Sequence, residues 1–403
     1  MSHRKKNRHV GVVGIGETKF SSHREDVNQP EMIFEAVKEA LDDCGLGMDD
    51  IECVVHGNME LFEMVHQPDL WHSMGALMYG KDEIRLTTGG TTGGTLAAAG
   101  DYLVASGMYD IVLAIGFEKL QEGHTTGGIT NMADPLWFRK LQSGALTGST
   151  AYDMIEEFGE ERAKNAAMSY RIIMDEHACL NPNSHRAFGL NWDQADELKE
   201  NSPRLVGDLR LIHMCSQSDG ACAVIFASEE RAKKMKKKPV WIRDHITAHR
   251  EETFNVFGNA PESAPVAKTQ RFCAEQLFKR NGIDDPVEYF DVFEMYDPSS
   301  WWGSDWLRDF LLLEGDEALK LIEDKEIAIG GKLPVCPSGG VISANPIGAT
   351  ALVRFAEAAK QVRGDAGPHQ IPTPVNHALA SSFGGTMWTV LFMLEKELGW
   401  EGA

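Results

Sequence analysis

Apolar and polar positions along the chain alternate in a rhythm of short strands and amphipathic helices. HVGVVGI (9–15) is a continuous apolar run and predicts a short buried strand. EMIFEAVKEALDDC (31–44) has apolar positions at helical spacing, and Gly45 is a natural stop. IECVVHG (51–57) predicts a second strand. TTGGTTGG (87–94) is a Gly/Thr turn, running into LAAAGDYLVASG (96–107), a helix with small residues on one face. YDIVLAIGFEK (109–119) then predicts a strong buried strand.

The second half of the chain repeats this grammar. YFDVFEMYD (289–297) reads as a strand, VCPSGGVISANPIGAT (335–350) as a Gly-rich turn, and ALVRFAEAAKQVRG (351–364) as a helix ending at Gly364. PVNHALASSFGGTMWTVLFMLEK (374–396) reads as two strands around Ser-Ser-Phe-Gly-Gly. A strand, a Gly turn and a small-faced helix therefore recur, which predicts a duplicated α/β unit. Residues 120–210 break the pattern with turn clusters and amphipathic helices around 155–177. Long excursions of this kind often form binding lids. RAKKMKKKP (231–239) reads as a solvated linker between the halves, with the neighbourhood of an anionic ligand's phosphates as the other reading.

The 403 residues suggest two or three domains at about 100–200 residues each. With 43% hydrophobic and 25% charged residues the chain is an ordinary globular one, not a disordered one. Lys and Arg number 39 against 60 Asp and Glu, a net charge of −21, which disfavours binding to nucleic acid or to an anionic membrane. An anionic ligand would have to be caught by a local field such as a helix N-terminus. No stretch approaches the roughly 18 apolar residues of a membrane span, and the basic start MSHRKKNRHVGVVGIG is too Gly-rich for a signal peptide. The seven cysteines (44, 53, 179, 215, 222, 273, 336) form no CxxC pair. They predict reduced thiols in the cytoplasm, with no disulfide framework and no metal site in this chain.

Familiar motifs fail on inspection. Gly14-Ile15-Gly16 after a strand lacks the third glycine of a dinucleotide loop, and Glu17 would oppose a pyrophosphate. There is no P-loop, no GxSxG elbow, and no HExxH among His56, His66, His72 and His124. The Gly turns are more suggestive. Four glycines in eight residues at the head of a helix leave backbone N–H groups bare, and such groups stabilise an oxyanion. Ser338-Gly339-Gly340 and Phe383-Gly384-Gly385 offer similar donors, although glycine also serves simple close packing.

Several segments together resemble the thiolase superfamily, and within it the sterol carrier protein X-type branch that pairs with a small zinc-ribbon/OB-fold subunit. They are VGVVGIGETKF (10–20), LVASGMYDIVLAIGFEK (103–119), CLNPNSH (179–185), CSQSDGACAVIFAS (215–228) and SGGVISANPIGATALVRFAEAAKQVRG (338–364). The resemblance implies a five-layered α/β/α/β/α thiolase fold of two halves with an inserted loop domain. The boundaries it suggests are 1–120 with 211–235 for the first half, 121–210 for the loop domain and 236–403 for the second half. It also implies a homodimer, a separate zinc-ribbon/OB partner, acyl-CoA as substrate, and coenzyme A as co-substrate with no tightly bound cofactor.

The reactive positions of the family are replaced here. The nucleophilic Cys falls on Gly90, between Gly89 and Thr91; the His of His-Asp-x-Phe falls on Tyr296; the His of Gly-His-Pro falls on Asn345; and the late Cys falls near Ser382. Thr91 has no evident activating base. Cys336, beside the SGG turn, is the candidate substitute thiol, while Cys215 reads as packing. Oxyanion donors and a phenol survive. The Gly turns (Gly89, Gly90, Gly384, Gly385) and the Asn345 amide can hold an enolate, and Tyr296 can move a proton. His124, Trp301 and Ser382 are candidate substrate contacts.

Two reactions fit these parts. One is attack of free coenzyme A on a 3-oxoacyl-CoA without an acyl-enzyme. GNMELFEM (57–64), the cysteine-free turn and Trp301, Trp302 and Trp306 are similar to thiolase-like subunits acting on aryl substrates such as benzoylsuccinyl-CoA. The other is retro-aldol cleavage of a 3-hydroxyacyl-CoA, as in thiolase-like aldolases with Tyr at the same place, from which Ala-Asn-Pro departs. A noncatalytic coenzyme A-binding subunit is the third class, and the retained Gly turns argue against it.

Overall fold

The computed structural model describes residues 8–59, 75–76, 78–122, 143–249, 269–384 and 388–399. The strands are β1 (Val10–Glu17), β2 (Cys53–Gly57), β3 (Asp82–Arg85), β4 (Ile111–Lys119), β5 (Arg204–Val206), β6 (Leu209–Arg210), β7 (Asp219–Ser228), β8 (Val240–Ala248), β9 (Val292–Glu294), β10 (His377–Gly384) and β11 (Trp388–Glu395). The long helices are α1 (Gln29–Cys44), α2 (Thr92–Ser106), α3 (Ser143–Phe158), α4 (Glu160–Ala178), α5 (Thr269–Asn281), α6 (Ser300–Phe310) and α7 (Ile347–Arg363).

Nine strands run in the order β3-β2-β4-β7-β1-β8-β11-β10-β9. The duplication is visible in the directions. In the first half β2 is parallel to β4, β4 antiparallel to β7, and β7 antiparallel to β1. In the second, β9 is parallel to β10, β10 antiparallel to β11, and β11 antiparallel to β8. The halves meet where β1 pairs with β8 at Gly11↔Trp241 and Val12↔Val240. Helix α1 covers one face of the first half and α5 the corresponding face of the second, while α2 and α7 pack on each other between them. The layers are therefore helix, sheet, helix pair, sheet, helix.

The burial pattern explains the layers. Val10, Val12 and Ile15 of β1 join the central cluster, whereas Val13 joins the cluster under α1. A register shift between Val12 and Gly14 makes that change of phase possible. Asn28 and Glu31 form a capping box at the start of α1, and Gly45 ends it in the left-handed region at φ 73°. The small face of α2 lets it approach α7 closely: a Cβ on Gly93 would lie 2.3 Å from the Leu352 nitrogen.

Several boundaries differ from the sequence reading. Helix α2 begins at Thr92, inside the Gly/Thr turn. The segment around 155–177 is two helices, α3 and α4, broken at Gly159 with φ 84°. The strand expected over 289–297 shrinks to β9. Asp285 caps a helical turn at Pro286–Tyr289 by accepting from the N–H groups of Val287 (3.0 Å) and Glu288 (3.2 Å). Beyond Glu294 the Tyr296 N–H donates to the Ser381 hydroxyl at 3.0 Å, not to a neighbouring strand. The Ser-Ser-Phe-Gly stretch lies within β10, not between two strands.

Candidate active site

The turns that follow β2, β4, β9 and β10 converge on the first turns of α2 and α7. In the turn before α2, Gly89 takes the left-handed conformation at φ 63°, and its carbonyl accepts from Thr92 N (3.0 Å) and Thr92 Oγ1 (2.7 Å). Thr91 is fully buried, and its hydroxyl donates to Thr88 O at 2.5 Å, which occupies it as a structural group. Gly90 is the apex. A Cβ built there would stand 2.6 Å from Phe383 O, 3.3 Å from the Tyr296 hydroxyl and 3.4 Å from Gly384 Cα. A Cβ on Gly384 would in turn lie 3.0 Å from Thr91 N and Thr91 Oγ1. Gly89, Gly90, Thr91 and Gly384 thus share one backbone junction. Gly385 and His124 lie outside the described residues.

Facing Gly90 is a hydrogen-bonded chain of side chains. The Tyr296 phenol lies near Thr350. Thr350 Oγ1 donates to Asn345 Oδ1 at 2.8 Å, and Asn345 Nδ2 donates to Cys215 Sγ at 3.3 Å. The two contacts fix which way the amide points. Burial pushes the Tyr296 phenol above its ordinary value, so it is a proton donor at neutral pH. Burial likewise pushes the Cys215 thiol up to about 11, against the pull of the Arg186 cation. Val341, Ala351, Phe383 and Cys215 pack around Tyr296.

A buried ionic layer supports this chain. Asp297, fully buried, accepts from Val341 N at 2.6 Å and from the Tyr170 hydroxyl at 3.0 Å. Burial raises its carboxyl to about 7. Glu294 pairs with Arg354 at 2.6 Å and accepts from Ser338 Oγ at 2.8 Å. On the other side, the buried Glu118 carboxylate accepts from Gly348 N (2.8 Å) and Met59 N (3.0 Å). It therefore sits at the positive end of the α7 dipole and anchors the turn that carries Asn345.

Several sequence expectations need correction. The turn Ser338-Gly339-Gly340 offers no oxyanion donors. Its amides and the next are committed to Glu294 (3.1 Å), Cys336 O (2.8 Å), Ser338 Oγ (3.4 Å) and Asp297 (2.6 Å). Gly340 has φ 70°, and a Cβ there would stand 2.5 Å from both Asp297 carboxylate oxygens, so this glycine exists to seat Asp297. Cys336 is not a substitute nucleophile. It is 0% exposed, its thiol exchanges hydrogen bonds with the Met295 backbone at 3.2 Å, and burial pushes it well above the ordinary thiol value. Trp301 is a core residue packed with Ala151, Met154 and Leu209, not a substrate contact. Ser382 accepts from Val390 N at 3.1 Å and faces Gly94, away from the chain around Tyr296.

The tryptophans that do approach the site are Trp302 and Trp306. They stack at 4.9 Å and lie 5.4 and 4.7 Å from the Phe383 ring, which is 6.3 Å from Tyr296. Trp302 Nε1 donates to Thr150 Oγ1 at 2.8 Å. The lysines of 231–239 gather with Lys396 at the His377–Glu395 end of the β10–β11 hairpin, opposite the Gly384 end that forms the site. They are ion-paired there, Lys237 with Asp365 (3.3 Å) and Lys238 with Glu397 (3.5 Å), among others. Sequence reasoning missed Thr350, Glu118 and the place of Cys215. The first two stand in recognisable segments, GAT (348–350) and GFEK (116–119), but nothing in the spacing shows what they touch.

Comparison with known proteins finds the same fold. Residues 262–395 match the family described as thiolase C-terminal domain-like. Sterol carrier protein 2 of Gallus gallus is 28% identical over 382 residues, covering 90% of this chain and 68% of the relative. The acetyl-CoA acetyltransferase of Methanothermobacter thermautotrophicus is 29% identical over 374 residues, covering 90% of this chain and 93% of the relative. Among solved structures the Ltp2-ChsH2(DUF35) aldolase superposes with a TM-score of 0.80 at 20% identity, covering 98% of this chain and 100% of that one. The fold is that of the thiolases, and the sequence is similar to proteins of that superfamily along most of its length. Sterol carrier protein 2 by sequence and an SCP2-thiolase-like protein of Mycobacterium smegmatis by fold are among the proteins it is similar to.

Proposed function

We propose that this protein cleaves a carbon–carbon bond of a 3-oxoacyl-CoA by direct attack of the coenzyme A thiolate on the ketone, giving two acyl-CoA products with no acyl-enzyme. The observation that carries the reading is the apex at Gly90. The Phe383 carbonyl stands 2.6 Å from where a Cβ would be, leaving no room for a nucleophilic side chain, and the Tyr296 phenol faces the vacant position at 3.3 Å. The nucleophile must then come from outside. When it adds, negative charge develops on the ketone oxygen, and the phenol, held protonated, donates to it. Collapse of the alkoxide expels the thioester enolate, which the second N–H of the oriented Asn345 amide stabilises. Coenzyme A acts as a co-substrate here, not as a resident cofactor.

The sequence likeness supports an aryl-bearing acyl chain of the benzoylsuccinyl-CoA type, with the buried Trp302–Trp306 pair and Phe383 as the apolar backing of Tyr296. A relative named acetyl-CoA acetyltransferase supports acyl transfer, and a fold neighbour solved as a complex with a DUF35 protein supports a small zinc-ribbon/OB partner. The homodimer follows the same likeness, and the free cysteines fit a cytoplasmic setting.

Retro-aldol cleavage of a 3-hydroxyacyl-CoA is the second reading, favoured by the fold neighbour named an aldolase. It needs an acceptor for the hydroxyl proton, whereas Tyr296 is held as a donor. The test uses the protein purified with whatever small subunit accompanies it, given matched 3-oxo and 3-hydroxy aryl-acyl-CoA esters with and without coenzyme A. Thiolysis predicts cleavage of the 3-oxo ester only with coenzyme A, and a Tyr296→Phe variant whose kcat falls about 100-fold with KM little changed. Cleavage of the 3-hydroxy ester without coenzyme A would establish the aldolase instead. Coenzyme A binding with neither cleavage would make the chain a noncatalytic subunit.

A further inference from the structure

Cys215 has no part in the chemistry so far, yet it is placed with the groups that have one. Its N–H donates to Pro298 O at 2.9 Å, and its neighbour Met214 bridges to Ser299, so the segment runs alongside Tyr296–Ser299. Its Sγ accepts from Asn345 Nδ2 at 3.3 Å, and the residue packs in the Tyr296 cluster. Tyr296 and Asn345 are 4% and 5% exposed, whereas Cys215 is only half-buried, so of the three it is the one most open to an incoming molecule. Among the described cysteines, Cys44, Cys53, Cys222, Cys273 and Cys336 are all buried, and the exposed Cys179 lies on Asp175.

Thiolysis as proposed leaves two proton transfers unassigned. The coenzyme A thiol must lose its proton to become a nucleophile, and the expelled enolate must gain one at its α-carbon. We propose that the Cys215 thiol carries both protons. This inference rests on the thiolysis reading. In the cleavage step the bond between the α and β carbons breaks and its electron pair passes to the enolate. The Cys215 S–H bond then breaks as the new C–H bond forms at the α-carbon, leaving a Cys215 thiolate. That thiolate takes the proton from the S–H of the next coenzyme A, which regenerates the Cys215 thiol and frees the coenzyme A thiolate to attack. Each turnover consumes one coenzyme A and one 3-oxoacyl-CoA, and no oxidant or reductant is needed. The high proton affinity of Cys215, about 11 against about 8.5 for an ordinary thiol, makes the return transfer favourable. The Asn345 amide has a place in both events, since one N–H holds Cys215 and the other is free for the enolate oxygen.

The test compares wild type with Cys215→Ser and Cys215→Ala, each purified with its accompanying subunit. One assay follows thiolysis of the 3-oxo ester. The other follows deuterium uptake at the α-carbon of a product acyl-CoA in deuterium oxide, read by mass, which reports the proton transfer without carbon–carbon cleavage. Binding of coenzyme A and the thermal midpoint are measured alongside to exclude a folding defect. The expected result is a loss of about 100-fold in both assays for Cys215→Ala with coenzyme A binding retained, and with it loss of the wild-type pH dependence of exchange. Thiolysis and exchange within twofold of wild type in Cys215→Ala would overturn this inference and leave the thiolysis reading standing. Absence of both activities in the wild type would overturn the two together.

Discussion

A cysteine at position 90 would restore the residue type that the resemblance expects, but not its chemistry. Its Cβ would be driven to 2.6 Å from the Phe383 carbonyl oxygen, well inside contact distance. Gly90→Cys is therefore expected to lose cleavage activity by about 100-fold through displacement of the turn. Intact-mass measurement after incubation with an acyl-CoA should show no acyl adduct. A stable adduct with retained turnover would show that the turn yields and that the missing nucleophile is a matter of sequence alone. Positions 90, 296 and 345 could be singled out in the sequence because short flanking segments suggest their register. The partnership of Cys215 with Asn345 could not be, since the two are 130 residues apart and meet only because the segment leading into β7 hydrogen-bonds to the turn before α7, Ser216 N to Ile342 O and Ser218 N to Asn345 O. Trp301 misled for the opposite reason. Three tryptophans in six residues of a helix point to different sides of it, and the sequence does not say which side faces the site.

Among the elements, α2 and α7 form the hinge of the architecture. Small residues on α2 were readable as a sign of close approach, and the structure supplies the partner: Gly93 against the backbone of Leu352 and Gly100 against the Phe226 ring. Gly93→Ala would place a methyl group 2.3 Å from the Leu352 nitrogen, which a rigid helix backbone cannot avoid. A loss of about 1–3 kcal/mol is expected from such overpacking, measured as a lower midpoint in urea, with the loss of activity exceeding the loss of stability because Asn345 and Thr350 ride on the start of α7. An unchanged midpoint would mean that the helices slide apart without cost. The central duplication was visible in the repeated turn-and-helix pattern. The shortening of β9 was not, because it depends on a cap at Asp285 and on a hydroxyl from β10 that competes for the Tyr296 N–H.

On the scale of the whole molecule, the halves are tied by charges as well as strands. Lys360 near the end of α7 pairs with Glu17 at the end of β1 (2.7 Å) and with Glu357 (3.3 Å), and Glu357 also bonds His369 at 2.7 Å. One ammonium thus serves two buried carboxylates, and the proton that this forces rests on Glu17. Burial, with the Glu357 charge adding to it, raises Glu17 from 4.5 to about 8, while Glu357 is held below its ordinary range by Lys360 and His369 despite its burial. A carboxyl whose folded pKa is raised stabilises the fold fully below 4.5 and loses that contribution as pH climbs toward about 8. Glu17→Gln is expected to flatten the fall of the thermal midpoint over that window. A fall as steep as that of the wild type would place the shared proton elsewhere. No helix among the described residues is long and apolar enough to cross a membrane, and the net charge of −21 lies mostly on the surface around this buried knot. The order of the strands has a consequence for the birth of the molecule. β1 is made before every other described strand, yet it occupies the middle of the sheet, and Glu17 must wait for Cys222, and Gly11 for Trp241, before either edge is satisfied. At about 5–20 residues per second that wait is of the order of 10–40 s, during which an apolar strand with two open edges leaves the ribosome unpaired. The first half of this chain therefore cannot complete its sheet until β7 is made, and until then β1 depends on the shielding of its open edges.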